Sequence, residues 1–140
     1  MLGMQRTRHT FLGALLLLSV VFLTGCGGSG PHNPFTGRWQ GTFTTDNAQV
    51  GTIQLTITDE AVGTGTGTAT NTTLGATATI EGTITDAGVA VLTYQYPKTP
   101  LIRGNGTLTR GSDGKLTGRI AATISGESIG YSDIVLNPQP

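Results

Sequence analysis

Apolar and polar side chains alternate with a period of two along most of this chain, from Phe35 to Leu136. In the clearest stretch, Ile53, Leu55 and Ile57 are separated by Gln54 and Thr56. A period of two places successive side chains on opposite faces of a strand, whereas a helix repeats every 3.6 residues. We therefore predict β-strands throughout. They cover a first segment after Phe35 and then about 52–58, 63–70, 74–85, 89–96, 102–110, 116–124 and 128–136.

Turn-forming residues separate these segments at short intervals, as in Asp86-Ala87-Gly88 and Ser112-Asp113-Gly114. Strands joined by such short connections are sequential antiparallel neighbours. The fold class is therefore all-β, an antiparallel meander of about eight strands. It closes into a small up-and-down barrel or, alternatively, folds over as a β-sandwich. We prefer the barrel because closure removes the exposed strand edges that promote aggregation.

The face opposite the Leu/Ile positions is rich in threonine, and aromatic residues make up only 6% of the chain. A barrel that spans a membrane needs an outward apolar band and aromatic girdles. We therefore expect a water-exposed barrel.

Residues 1–25 have the layout of a secretion signal. A basic start with Arg6 and Arg8 precedes an apolar stretch from Phe11 to Leu23. This stretch is shorter than the roughly 20 residues that a membrane-spanning helix needs. The leader therefore predicts export.

The leader ends in Leu23-Thr24-Gly25-Cys26, which resembles the lipobox of bacterial lipoprotein precursors. The resemblance implies cleavage before Cys26, a diacylglycerol on its sulfur and an acyl chain on the new amino terminus. More than one acyl chain gives stable membrane anchoring. We expect a cell-envelope lipoprotein. Because Gly27 rather than Asp follows the cysteine, the outer membrane is favoured in a source with two membranes.

The domain prediction has three parts: a signal peptide over 1–25, a lipidated Gly/Ser/Pro-rich flexible tether over 26–34, and the β-barrel over 35–137. Without the leader, six Lys/Arg face eight Asp/Glu and no basic patch remains, so nucleic acid is not an expected partner. Cys26 is the only cysteine, which excludes an intrachain disulfide.

Catalytic side chains are scarce in the predicted barrel. His32, the only histidine after the leader, lies in the tether, so Cys–His chemistry, a Ser-His-Asp triad and a His/Cys zinc site all lack members. Most carboxylates fall at turns, but Glu81 and Asp133 lie inside strands. We expect no enzyme, no metal and no cofactor beyond the lipid. The less favoured alternative is a small hydrolase that uses these two carboxylates.

Gly37-Arg38-Trp39 resembles the opening of the calycin barrels, the lipocalin and avidin-like group. The resemblance implies that Trp39 packs across the closed end of the barrel under a late-strand arginine, Arg119 or, less favoured, Arg110. Tyr94 and Tyr96 form a possible ligand platform beside the Pro97 loop. Trp39, Tyr94, Tyr96 and Arg119 are thus the candidate ligand-binding residues.

The leading hypothesis is a membrane-anchored, non-enzymatic barrel that binds a small apolar ligand or serves an envelope complex. The alternative is an adhesive or protein-interaction module. Inward Gly and Ala positions permit either sharp coiling of the sheet or an empty lumen, and the pattern leaves both open.

Overall fold

The computed structural model describes residues 32–140, which form a closed barrel of eight antiparallel strands in sequence order. The strands are β1 (Gly37–Thr45), β2 (Val50–Ile57), β3 (Val62–Asn71), β4 (Ala76–Thr85), β5 (Val89–Gln95), β6 (Ile102–Arg110), β7 (Leu116–Ile124) and β8 (Glu127–Gln139). Each strand pairs with its neighbours in the chain, and β1 also pairs with β8. The predicted meander barrel is confirmed, and the sandwich alternative is wrong.

Two strand limits differ from the prediction. β4 begins at Ala76, because Leu74 lies in the preceding loop with 63% of its surface exposed. β8 continues past Leu136 to Gln139, since Arg38 and Trp39 of β1 lie opposite Gln139 and Pro138. The barrel therefore extends two residues beyond the predicted limit of 137.

The inward side chains form one core from end to end of the closed half of the barrel. Ile80, Ile84, Leu92, Leu116 and Leu136 are at most 1% exposed. The threonines between them face outward, as in the exposed positions of β3 and β4. An eight-stranded barrel is just wide enough for side chains to fill its interior.

Inward glycines bring neighbouring strands close together in the middle of the barrel. A β-carbon on Gly82 would collide with the backbone oxygen of Val91, and one on Gly67 would collide with that of Gln54. Glycine is the residue that permits such a close approach. The same relation to a neighbouring backbone oxygen holds at Gly41, Gly106 and Gly118. These glycines thus serve close strand packing, while isoleucines and leucines fill the space beside them.

The end of the barrel that holds the 58–61, 86–88 and 111–115 loops, here called the closed end, is sealed by the segment before β1. Phe35 is 5% exposed, and the Trp39 indole N–H donates to its carbonyl oxygen at 2.8 Å. Asn33 is 3% exposed, donates from Nδ2 to the Ile84 carbonyl oxygen at 2.8 Å and accepts from the Phe35 N–H at 2.9 Å. A buried amide with these partners fixes the entering chain against β4.

The end of the predicted tether therefore belongs to the fold. His32 Nδ1 lies 2.8 Å from an oxygen of Asp59, and Asn33 packs as described above. The rest of the predicted tether up to residue 31, the predicted signal peptide and the Cys26 lipidation site lie outside the described residues.

Residues 32–140 contain no helix long and apolar enough to cross a bilayer. Every strand has both its neighbours within this range, and the core lies inside the closed sheet. These residues therefore make a complete folding unit.

Candidate functional site

The opposite end, here called the open end, contains a cavity of about 520 Å³. It lies beneath the loops 46–49, 72–75, 96–101 and 125–126. The floor consists of inward side chains from β1, β2, β5, β7 and β8: Phe43, Ile53, Tyr94, Ile120 and Ile134. The volume falls within the roughly 300–1,000 Å³ range of small-molecule sites.

Small side chains explain why this end is hollow. Ala69 ends the core of β3, Ala76 begins β4 and Ala122 lies near the end of β7, and all three line the cavity. In the closed half, the inward positions of β2 and β4 instead hold Ile57 and Ile84, both fully packed. A methyl group fills much less of the lumen than a branched butyl group. The empty space follows from where the alanines fall along the strands.

The rim of the cavity is apolar on several sides. Leu74, Pro100 and Ile129 line it, and Leu74 and Ile129 are 63% and 49% exposed. Leu101 lies in the same loop as Pro100 and is 41% exposed. Exposed apolar groups clustered around a concave opening mark binding surfaces more often than scattered ones do.

The polar groups of the cavity are few. Asn71 is 4% exposed, donates from Nδ2 to Gln49 Oε1 at 2.9 Å and accepts from the Leu74 N–H at 3.0 Å. Tyr94 packs against the core from the cavity floor, and burial raises the pKa of its phenol above the usual range. Burial also raises the pKa of Tyr96. Both phenols are therefore protonated near neutral pH and can donate a hydrogen bond.

Asp46 is the only formally charged residue among those that line the cavity. Its N–H donates to the Tyr131 carbonyl oxygen at 3.0 Å, which ties the β1–β2 loop to β8. Its carboxylate lies over Gly130, where a β-carbon would lie 2.5 Å from Oδ2. No Lys or Arg pairs with Asp46 in residues 32–140. The carboxylate thus faces the mouth of an apolar cavity without a protein counter-ion.

The structure separates the four candidate ligand-binding residues into two groups. Tyr94 and Tyr96 both line the cavity, on the side where the 96–101 loop begins. Trp39 lies at the closed end, 3% exposed and away from the cavity floor. The guanidinium carbon of Arg110 lies 5.8 Å from the centroid of its ring.

The prediction that preferred Arg119 as the residue over Trp39 is wrong. Arg119 is an outward residue of β7, between inward Gly118 and Ile120. Its Nε donates to Asp133 at 2.7 Å, and its guanidinium carbon lies 3.9 Å from the centroid of the Tyr131 ring. The Asp133 hydrogen bond raises the Arg119 pKa and lowers the Asp133 pKa. Arg119 thus belongs to an outer-surface cluster.

The two strand carboxylates also lie on the outside of the barrel. Glu81 is exposed on β4 between Ile80 and Gly82, and Asp133 is held by Arg119 on β8. The alternative that required both carboxylates inside the lumen is not supported by this placement. Within the part of the chain that the structure describes, no group of three or more His, Cys, Asp or Glu is arranged to hold a metal ion.

Two features of the site escaped the sequence reasoning. Asp46 was interpreted as a solvated turn residue, since nothing local in the sequence relates it to Gly130, 84 positions later. The inward alanines were noticed but not assigned to one end. Their positions near the odd-to-even connections of the meander were the available signal.

The chain matches no known family model, no curated protein and no solved structure.

Proposed function

We propose that this protein is a membrane-anchored lipoprotein whose barrel is non-enzymatic and binds a small apolar ligand in the open-end cavity. The observation that carries the proposal is the cavity itself. About 520 Å³ of space is enclosed mainly by apolar side chains, with only a few polar groups. This combination is typical of small-molecule sites.

The binding energy would come from removing apolar surface from water. Phe43, Ile53, Ile120 and Ile134 offer a contiguous apolar floor, and each square ångström buried contributes about 25 cal/mol. The Tyr94 phenol and the Asn71 amide lie at the wall and provide the directional contacts that fix a ligand's orientation.

The cavity can be filled by one substitution with a matched control. Ala122→Leu adds a branched side chain inside the cavity, whereas Ala121→Leu adds the same atoms on the exposed outer face of β7. Residues 27–140 are expressed without detergent, and native mass spectrometry measures co-purified small molecules. Binding of 1-decanol, a neutral apolar probe, is then measured by calorimetry.

We expect retained ligand or 1-decanol binding in the parent and in Ala121→Leu, and loss of about tenfold or more in affinity in Ala122→Leu. Equal binding by both variants, or no binding by the parent, would contradict the proposed site.

The membrane anchor is supported by the lipobox-like Leu23–Cys26 segment and by the place where the chain enters the barrel. Cys26 precedes His32 by six residues, so the linking chain reaches at most about 22 Å. A nine-residue strand such as β1 rises roughly 23 Å along a barrel axis when it tilts by about 40°. Because the chain enters at the closed end, we propose that this end faces the membrane and the cavity opens away from it.

Both parts of the anchoring proposal have direct tests. Cys26→Ser is expected to release the protein from the membrane fraction, and retention there would contradict lipidation. For orientation, a fluorophore is attached at Asn47→Cys in the open-end loop or at Ser112→Cys in a closed-end loop of the lipidated protein. Headgroup nitroxides in liposomes should quench the label at 112 more than the label at 47. The reverse order would contradict the orientation.

A second candidate function is a protein-interaction module of the cell envelope. The exposed rim side chains Leu74, Leu101 and Ile129 favour it, because a partner would cover them. Replacing Leu74 and Ile129 together by Ser should then abolish cross-linking to an envelope partner in cells while leaving 1-decanol binding intact. Loss of 1-decanol binding alone would favour the ligand-binding function.

A further inference from the structure

We infer that the cavity selects a ligand with an apolar body and a basic nitrogen at its mouth end, and excludes anionic amphiphiles such as fatty acids. This inference rests on the proposed ligand-binding function and specifies the chemistry of its ligand. It is carried by the charge distribution around the cavity.

The first observation is that the cavity wall carries one formal charge, and that charge is negative. Asp46 lines the mouth, and every other lining residue is neutral near pH 7. Asp46 also has no Lys or Arg partner among residues 32–140. A ligand carboxylate placed here would meet a like charge, while an ammonium group would meet an opposite one.

The second observation is that the basic residues of the barrel are directed elsewhere. Arg110 donates to the Pro34 carbonyl oxygen at the closed end, and Arg119 is bound to Asp133 on the outer face. Lys115 lies in the closed-end loop beside Asp113. Lys98 shares the 96–101 loop with Pro97 and Pro100, yet it is exposed and does not line the cavity. No cation within the described residues is therefore placed to neutralise a bound anion inside the cavity.

The third observation is that the position of Asp46 is built into the fold. The Asp46 N–H is bonded to β8, and its carboxylate occupies the space that a side chain at residue 130 would take. The charge is thus held between the β1–β2 loop and β8, at the mouth. The Phe43, Ile53 and Ile134 side chains below it are apolar. A ligand would lie with its apolar body on this floor and its nitrogen toward Asp46.

The size of the cavity limits the ligand. At about 30 Å³ per water-sized volume, 520 Å³ corresponds to roughly 15–20 non-hydrogen atoms. A primary alkylamine of ten carbons fits this limit and serves as the probe.

The test compares decylamine, 1-decanol and decanoate, which share one alkyl chain and differ in head group. Affinity is measured by titration calorimetry on residues 27–140, below the micelle-forming concentration of each probe, at low and high salt. The variants are Asp46→Asn and a matched control, Asp86→Asn, in the closed-end 86–88 loop.

We expect decylamine to bind the parent about tenfold or more tightly than decanoate, with 1-decanol between them. Asp46→Asn should bring the three affinities together, and salt should weaken the difference because it screens exposed charges. Asp86→Asn should bind like the parent.

Three results would overturn the inference: decanoate binding as tightly as decylamine, an unchanged preference in Asp46→Asn, or the same loss of preference in Asp86→Asn. In each of these cases the proposed ligand-binding function would stand, since the probes still bind. If none of the three probes binds, the proposed function fails together with the inference.

Discussion

The guanidinium of Arg110 lies over the Trp39 ring at 5.8 Å and donates from one nitrogen to the Pro34 carbonyl oxygen at 2.9 Å. One side chain from the end of β6 thus holds both the tryptophan of β1 and the chain segment that precedes it. The closed end is secured by contacts between residues 71 and 76 positions apart in the sequence.

Arg110→Ala is expected to lower the free energy of unfolding by about 1 kcal/mol, through the loss of an exposed cation–π contact and one hydrogen bond. Chemical denaturation monitored by Trp39 fluorescence measures the change. Arg103→Ala, at an exposed outward position of β6, is the control and should be nearly neutral. Equal losses in the two variants would show that the Arg110 contact contributes nothing specific.

Asn33→Ala is expected to cost about 1–3 kcal/mol, because the Ile84 carbonyl oxygen loses its buried donor and the Phe35 N–H loses its acceptor. Asn137→Ala, at an exposed position of β8, is the control. Denaturant midpoints of residues 27–140 measure both. An Asn33→Ala protein as stable as the parent would contradict the assignment of residues 32–34 to the fold.

Gly130→Ala is expected to cost about 1–3 kcal/mol, since Gly130 has a φ of +111° and the added methyl group meets the Asp46 carboxylate. Gly126→Ala is the matched control: its φ is +84°, but a β-carbon there meets nothing within 4 Å. Removing the carboxylate with Asp46→Gly should restore part of the stability of Gly130→Ala and none of that of Gly126→Ala. A purely additive double mutant at 46 and 130 would contradict the contact.

The Asp59 carboxylate predicts an acid-sensitive contribution to stability. The hydrogen bond from His32 lowers its pKa below the ordinary 3.8, with further help from Thr36 and the Asn33 N–H. A carboxylate with a depressed folded-state pKa contributes stability that is present above the unfolded value and is lost as the pH falls through the folded value. The melting temperatures of the parent and Asp59→Asn should therefore differ near neutrality and converge well below pH 3.8. A difference that is constant with pH would contradict the interaction.

The sequence was sufficient for the fold because the alternation is local and nearly uninterrupted. The register of Ile53, Leu55 and Ile57 settles which face of β2 is inside, and short turns impose the meander. The same alternation also argued against Arg119 as the partner of Trp39, because Gly118 and Ile120 already occupy the inward positions of β7. That prediction gave weight to a family pattern over the parity of the strand.

The cavity was harder to predict because it depends on relations between distant segments. Ala69 and Ala122 are 53 positions apart and reach the same end only after the barrel closes. The relation of Asp46 to Gly130 depends on two loops that meet across the β1–β8 pairing. Side-chain volume at one level of the lumen is a property of the assembled sheet, which no single segment contains.

The packed closed half of the barrel makes the cavity a blind one. Leu55, Leu92 and Leu136 fill the lumen below its floor, so a molecule that enters between the loops has only that opening through which to leave. Displacement of one occupant by another must then pass through an empty intermediate. The rate at which a bound probe is replaced should be independent of the concentration of its competitor, because a second molecule cannot approach from below and expel the first.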